Sequence, residues 1–297
     1  MTPIHTVRRQ CLTAATSPHS IFSTRALSTS ASAARNADTT AIPAPPQHHR
    51  ISPRWLTMTK RRLGKCMMFG LQPAQIQEAG EILQQIAREW RELVAGSEGY
   101  LTDATRRGLF RQSVAWGEMD AMGHVNNVNY VRYAETARVF MTRNFATHID
   151  PAHKKEWMDI VSSTRVGLIV RSITIDYKFP MKYPDEVTVY HKLAHDPSSP
   201  HSHKDAFHLD AMIISEARQR PAARVQEDLV VYDYRQGKKT NIPPFVLEQF
   251  KSTWKFQQRA KKFWQQRILD IEARVRMLEV ESWDREDAVE DTGSAKK

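Results

Sequence analysis

Trp116-Gly-Glu-Met-Asp-Ala-Met-Gly-His-Val-Asn-Asn-Val-Asn-Tyr-Val-Arg-Tyr-Ala-Glu-Thr-Ala-Arg138 is the stretch on which the reading of this chain turns. A loop, Gly117 to Val125, opens into a helix expected over Asn127–Phe145. Tyr130, Tyr133/Ala134, Ala137, Phe140/Met141 and Phe145 share one face of it, while Arg132, Glu135, Thr136 and Arg143 lie elsewhere. A helix starting at Asn126/Asn127 exposes unpaired backbone N–H groups and the positive end of its dipole. Such an end can stabilise the oxyanion formed when a carbonyl is attacked. Asp120 stands just upstream, between Gly117 and Gly123. A carboxylate there can act as a nucleophile or as a general base on water, and Gly123 lets backbone approach a ligand closely. Each residue also has a plain structural use. Asp120 suits a turn or helix cap, Asn126 and Asn127 suit N-capping, and Tyr130 and Tyr133 suit the helix core. His124 fits a packed core position as well as a ligand contact. Glu135 and Arg138, three apart, are expected to pair with each other or across a subunit boundary.

Upstream, Ile76, Ala79, Leu83, Ile86, Trp90 and Leu93 predict a helix over 74–94, with Pro73 near its start and Gly96 past its end. Phe110–Trp116 alternates and predicts a short strand. Downstream, Val166–Lys178, Glu186–Ala194, Ala206–Ser215 and Arg224–Tyr234 predict four strands, the first with a bulge near Arg171. Trp264, Ile268, Ile271, Val275 and Leu278 form a helical seam. It is too short to demand a coiled coil and is expected to pack on its own domain. One long helix followed by consecutive strands implies an α+β fold with the helix against an antiparallel sheet.

The quoted stretch closely resembles the acyl-CoA thioesterases of the hotdog fold, in their 4-hydroxybenzoyl-CoA thioesterase-like branch. Members carry Asp-x-x-Gly-His-Val-Asn-Asn-x-x-Tyr-x-x-Tyr-x-Glu-x-x-Arg, matched here by Asp120, Gly123, His124, Val125, Asn126, Asn127, Tyr130, Tyr133, Glu135 and Arg138. Between Glu135 and Arg138 there is one residue fewer than in some relatives. The resemblance extends more loosely over about 110–250. It implies a hotdog fold, an antiparallel sheet wrapped around a long central helix, here with extra N- and C-terminal helices. It further implies Asp120 as the catalytic carboxylate, with a backbone N–H from Gly123, His124 or Val125 nearest the carbonyl. Asn127, Tyr130 and Glu135 are implied at the substrate, Glu135 being the second choice for the catalytic acid. The implied partner is an acyl-CoA, coenzyme A entering as part of the substrate, with no metal or redox cofactor. Hotdog sites form between two subunits, so a homodimer or homotetramer is expected.

Composition limits the alternatives. Residues 1–77 hold ten Lys/Arg against one acid, and residues 78–297 hold 33 against 32, so the net charge of +10 sits in the N-terminal quarter. The remainder is unlike a basic nucleic-acid-binding domain, and no nucleic-acid partner is expected. Residues 1–37 contain Arg8, Arg9, Arg25 and Arg35, twelve Ser/Thr and no acid, the composition of a mitochondrial import sequence. The matrix is the expected location. Residues 38–53 read as a stiff linker, 54–100 as a helical extension, 101–250 as the hotdog domain, 251–283 as a C-terminal helix and 284–297 as a disordered tail. No apolar run reaches the ~18 residues that suggest a membrane span. Two Cys build no disulfide framework.

His191, His195, His201, His203 and His208 cluster around one strand connection, but the spacing is weak support for a metal site. Arg171, Lys178 and Lys182 are candidates for a basic rim facing the coenzyme A phosphates. The basic run 251–267, with its aromatic residues, reads as an ordinary amphipathic helix rather than an RNA-binding one. Walker A, GxGxxG, GxSxG and HExxH patterns are missing, which leaves nucleotide hydrolysis, dehydrogenase and serine-hydrolase readings unsupported. The competing function is a non-enzymatic hotdog scaffold in a mitochondrial complex. A hotdog dehydratase fits less well, because those enzymes place their His/Asp pair differently.

Overall fold

The computed structural model describes residues 51–292. The import reading of 1–37, most of the 38–53 linker and the last five residues of the tail lie outside them. In chain order the described residues form α1 (Trp55–Met68), α2 (Pro73–Arg91), β1 (Gln112–Ser113), α3 (Asn127–Asn144), α4 (Lys154–Ile160), β2 (Val166–Tyr177), β3 (Glu186–Leu193), β4 (Ala206–Ser215), β5 (Arg220–Asp233), β6 (Lys238–Lys239) and α5 (Pro244–Ser282). The strands make one antiparallel sheet in the order β1-β3-β4-β5-β2, with β6 on β5. α3 lies against one face of this sheet. This is the hotdog arrangement.

Side chains alternate across a strand, so the two faces of the sheet sort by parity. Val187 and Val189 of β3, Ala211 and Ile213 of β4, and Ala223 and Val225 of β5 meet Tyr130, Tyr133, Ala134 and Ala137 of α3. Tyr190, Met212 and Ile214 point the other way. They meet a helical layer in which Leu56 and Leu63 of α1, Ile82, Ile86 and Trp90 of α2, and Ile268, Ile271 and Val275 of α5 are buried together. β3 and β4 are therefore covered on both faces and are buried along most of their length. The basic stretch containing α1, and the seam of α5, pack on their own domain. Arg62 of α1 donates from Nε and Nη2 to Glu279 of α5 at 2.7 and 2.8 Å, and Arg267 of α5 reaches Glu89 of α2 at 2.9–3.1 Å.

The long strands fall close to their expected places, and the register shift in β2 lies between Val170 and Ser172, around Arg171. The expected strand 110–116 shrinks to two residues. Arg111 has φ 51°, Phe110 and Trp116 are exposed, and a 3₁₀ turn takes Trp116–Glu118. The alternation there was between loop residues, not between two faces of a sheet. α4 had no distinct periodic signal. It is held by Trp157, which stacks on Phe145 at 4.6 Å and donates its indole N–H to Asp150 at 2.9 Å.

α2 ends in a wider turn, Glu92–Gly96, which brings the Gly96 backbone against the Trp264 ring of α5. A Cβ at Gly96 would overlap that ring. Gly96→Ala is expected to cost ~1–3 kcal/mol by overpacking, read as a lower denaturant midpoint. Gly64→Ala on α1, where a Cβ meets open space, should show no such loss.

Candidate active site

The Asp120 loop is built by its own hydrogen bonds. Met119 and Val125 form an isolated antiparallel bridge, Asp120 N donates to His124 O at 2.8 Å, and Gly123 N donates to Asp120 O at 3.0 Å. Gly123 takes φ +71°, the left-handed conformation that closes this turn without a Cβ penalty. Oδ1 of Asp120 accepts from Met122 N at 2.8 Å and His124 N at 3.3 Å. Among the described residues Oδ2 of the same carboxylate accepts no hydrogen bond. Asp120 thus serves its turn with one oxygen and leaves the other unengaged. Its side chain is half-buried, as is that of His124, whose ring makes no hydrogen bond among the described residues.

The amino end of α3 is fastened below this loop. Asn126 is the N-cap, its Oδ1 accepting from Val128 N at 3.1 Å. Val125 N donates to Met181 O at 2.9 Å, and Met181 N donates to the Tyr130 hydroxyl at 3.2 Å. Glu118 is a second anchor that the motif reading did not single out. Its backbone oxygen accepts from Asn126 N and from Asn129 Nδ2, each at 2.8 Å. Its carboxylate accepts from Ala115 N and from the Tyr133 hydroxyl, each at 2.7 Å. Burial, reinforced by the Glu118 carboxylate, raises the Tyr133 hydroxyl well above the usual phenol range, so it stays a donor. Burial likewise raises the Tyr130 hydroxyl.

This wiring bears on the expected oxyanion donors. The N–H groups of Gly123, His124 and Val125 all have acceptors inside the chain, His124 through the longest bond. Among the described residues the N–H left without an acceptor at the helix end is that of Asn127, whose carbonyl accepts from the Tyr177 hydroxyl at 3.2 Å. Around the loop lies exposed apolar surface: Trp116 is 71%, Met122 78% and Val128 61% accessible. Trp116 meets the Tyr183 ring edge-on at 5.8 Å. Two cavities open at the other end of α3, and neither is lined by Asp120.

Residues 114–250 match the model of the Thioesterase-like superfamily. The matched segment runs from the Asp120 loop through β5 into the start of α5, and leaves α1, α2 and most of α5 outside. Among solved structures, the chain is similar to PA2801, a putative thioesterase from Pseudomonas aeruginosa, at 21% identity over 47% of this chain and 95% of that one, with a TM-score of 0.37. It is similar to a Thermus thermophilus thioesterase complexed with coenzyme A and Zn, at 20% identity over 53% and 96%, TM-score 0.40. It is also similar to YbaW, a probable thioesterase from Escherichia coli, at 19% identity over 48% and 96%, TM-score 0.38. A search of curated proteins finds no match.

Within the thioesterase-like segment, two motif residues part company. Glu135 is exposed and has no partner among the described residues. The expected Glu135–Arg138 pair does not form. Arg138 instead points into the sheet, because its position on α3 follows Ala134 and Ala137 on the buried face, and its Nη1 meets Glu227 Oε1 of β5. His191 of β3 lies 3.5 Å from the other Glu227 oxygen. Of the candidate basic rim, Arg171 pairs with Asp228 and Lys178 with Asp176, while Lys182 is exposed and without a partner among the described residues.

Glu227 is wholly buried. Desolvation pushes its carboxyl up, but His191 and Arg138 together hold it below the usual carboxylate range. A depressed carboxylate contributes stability above its unfolded value of ~4.3, and that contribution is lost as pH falls through the lower folded value. Glu227→Gln leaves Arg138 buried without its counter-charge and is expected to cost ~3–5 kcal/mol at neutral pH. Stability measured by denaturant from neutral pH into the acid range should also fall less steeply below the ordinary carboxylate pKa in the variant than in the wild type.

Proposed function

We propose that this chain is an acyl-CoA thioesterase. The observation that carries the reading is the Asp120 carboxylate, with Oδ2 unengaged, in the turn just before an amino-terminal helix end whose Asn127 N–H is also unengaged. In the proposed reaction Oδ2 takes a proton from water as the water oxygen bonds to the thioester carbonyl carbon. The carbonyl π electrons move onto oxygen, and the resulting oxyanion is held at the end of α3. The C–S bond then breaks. Coenzyme A leaves as a thiolate that takes up the proton, and the acid is released. Asp120 can equally attack the carbonyl itself, the acyl-enzyme then being hydrolysed by water. Gly123, His124 and Val125 shape the turn that aims the carboxylate, and Asn127 supplies the free donor. Tyr130 forms the buried floor through its bond to Met181. Glu135, exposed one face over, is proposed at the substrate. Lys182, next to Tyr183 and without a partner among the described residues, is proposed for a coenzyme A phosphate. No metal or redox cofactor enters this chemistry.

A second copy completes the site in this proposal. The accessible Trp116, Met122 and Val128 around the loop are apolar surface of the kind that a partner covers. A homodimer, or a pair of dimers, is the assembly proposed, and the mitochondrial matrix is the proposed location, a reading supported by the import-like composition of 1–37.

Free thiol released from short, long and aromatic acyl-CoAs tests the assignment. Asp120→Ala is expected to lower kcat by ~10²–10⁴-fold with the unfolding midpoint kept, while Glu135→Ala keeps most of the rate. Equal rates for wild type and Asp120→Ala on every substrate remove Asp120 from the chemistry. A collapse confined to Glu135→Ala transfers the role to Glu135.

A further inference from the structure

The histidines that stood out in the sequence divide in the fold. His191 lies inside, beside Glu227, whereas His195, His201, His203 and His208 all line one cavity of about 540 Å³ between the β3–β4 connection and α5. That volume falls within the ~300–1,000 Å³ usual for small-molecule sites. The floor is aromatic: Phe207 meets Phe250 edge-on at 4.9 Å, and Trp254 closes one side. Phe207 and Phe250 also wall a small apolar cavity of about 20 Å³ shared with Phe145 and Trp157, so the apolar surface continues inward.

The rim has a definite chemistry. His195, His201 and His203 are exposed and have no hydrogen-bond or ion-pair partner on their rings among the described residues. His195 meets His208 edge-on at 5.4 Å, and His208 lies 3.7 Å from Asp228, which Arg171 already holds at 2.6 Å. Among the described residues neither Lys nor Arg lines the cavity. Asp196 is its one acid, and that side chain is turned into its own loop, accepting from Ser198 N at 2.8 Å. α5 contributes only apolar side chains, Leu247 among them. Among the described residues no group of three or more His, Cys, Asp or Glu side chains is placed to hold a metal ion.

We propose that this cavity is a second binding site, for a free aliphatic carboxylic acid. The imidazoles of His195 and His203 receive the carboxylate, and the chain lies on Phe207, Phe250 and Trp254. Clustered imidazoles beside an aromatic floor match an anion with an apolar tail, and a lining without Lys or Arg among the described residues suits reversible capture. The site is separate from Asp120. Phe145, which follows α3, meets Phe250 at 6.2 Å, whereas Asp120 precedes the helix, and α3 at its ~1.5 Å rise per residue is about 27 Å long.

Calorimetric titration of decanoate into the full chain tests this without requiring turnover, so loss of the thioesterase reading would not touch it. Decanoate is expected to bind and decyl alcohol to bind far more weakly. The double variant His195→Glu/His203→Glu, both on the exposed loop, should weaken decanoate by about tenfold or more. Asp120→Ala should leave decanoate affinity unchanged. A terminally brominated decanoate should quench tryptophan fluorescence saturably, and Trp254→Phe should remove much of that quench. The proposal is overturned if decanoate gives no binding at millimolar concentration, if decyl alcohol binds as well, or if the double variant binds like the wild type. It is also overturned if Asp120→Ala abolishes binding, or if Trp254→Phe leaves the quench unchanged.

Discussion

Met181 ties the amino end of α3 to the chain that follows β2, using both of its backbone polar groups. Its carbonyl accepts from Val125 N and its N–H donates to the Tyr130 hydroxyl. Met181 is 1% accessible, and an unmade hydrogen bond on a buried backbone group costs ~1–3 kcal/mol, so the helix end cannot drift from the sheet without loss. Everything at the candidate site inherits this fixture. Glu118 braces the loop from the other side, and the Asp120 turn closes between them. A carboxylate on a surface loop would sample many positions. This one is held by two backbone donors at the mouth of a fastened helix.

The centre of the same helix is fixed by a different force. Arg138 and Glu227 form an ion pair inside the layer between α3 and the sheet, with His191 alongside. The desolvation such a pair carries means that it specifies position more than it adds stability. α3 can slide along an apolar sheet at modest expense, but not past a charge that has a single partner. The apolar cluster around Tyr130 and Val225 and the one around Phe145 and Phe250 lie to either side of it. The proposed catalytic loop sits at one end of α3 and the histidine-rimmed cavity at the other. The helical layer of α1, α2 and the later part of α5 covers the opposite sheet face, while the amino end of α5 packs beside Phe145 and lines the histidine-rimmed cavity.

What could be read from residues alone follows how local each signal was. The α3 helix, its Asn126 cap, the four long strands and the irregularity at Arg171 all came from spacing within one element. The strand expected at 110–116 did not, because Phe110 and Trp116 alternate with polar neighbours yet both face solvent. Glu118 was overlooked since a lone Glu in a loop carries no local sign that Ala115, Asn126, Asn129 and Tyr133 will converge on it. The pairing of Arg138 failed for the same reason. A partner three residues away is visible in the sequence, whereas Glu227, 89 positions distant, becomes a neighbour only when β5 lies under α3.

By itself the sequence determined the α+β hotdog class and singled out the loop proposed to carry the chemistry, since periodicity and a compact motif are properties of contiguous residues. Tertiary structure alone decided which N–H groups are already occupied, which acid meets Arg138, and which four of five histidines share one cavity. Those outcomes depend on separations set by sheet order and helix packing. The order β1-β3-β4-β5-β2 brings distant segments within hydrogen-bond range, and no window along the chain contains that information.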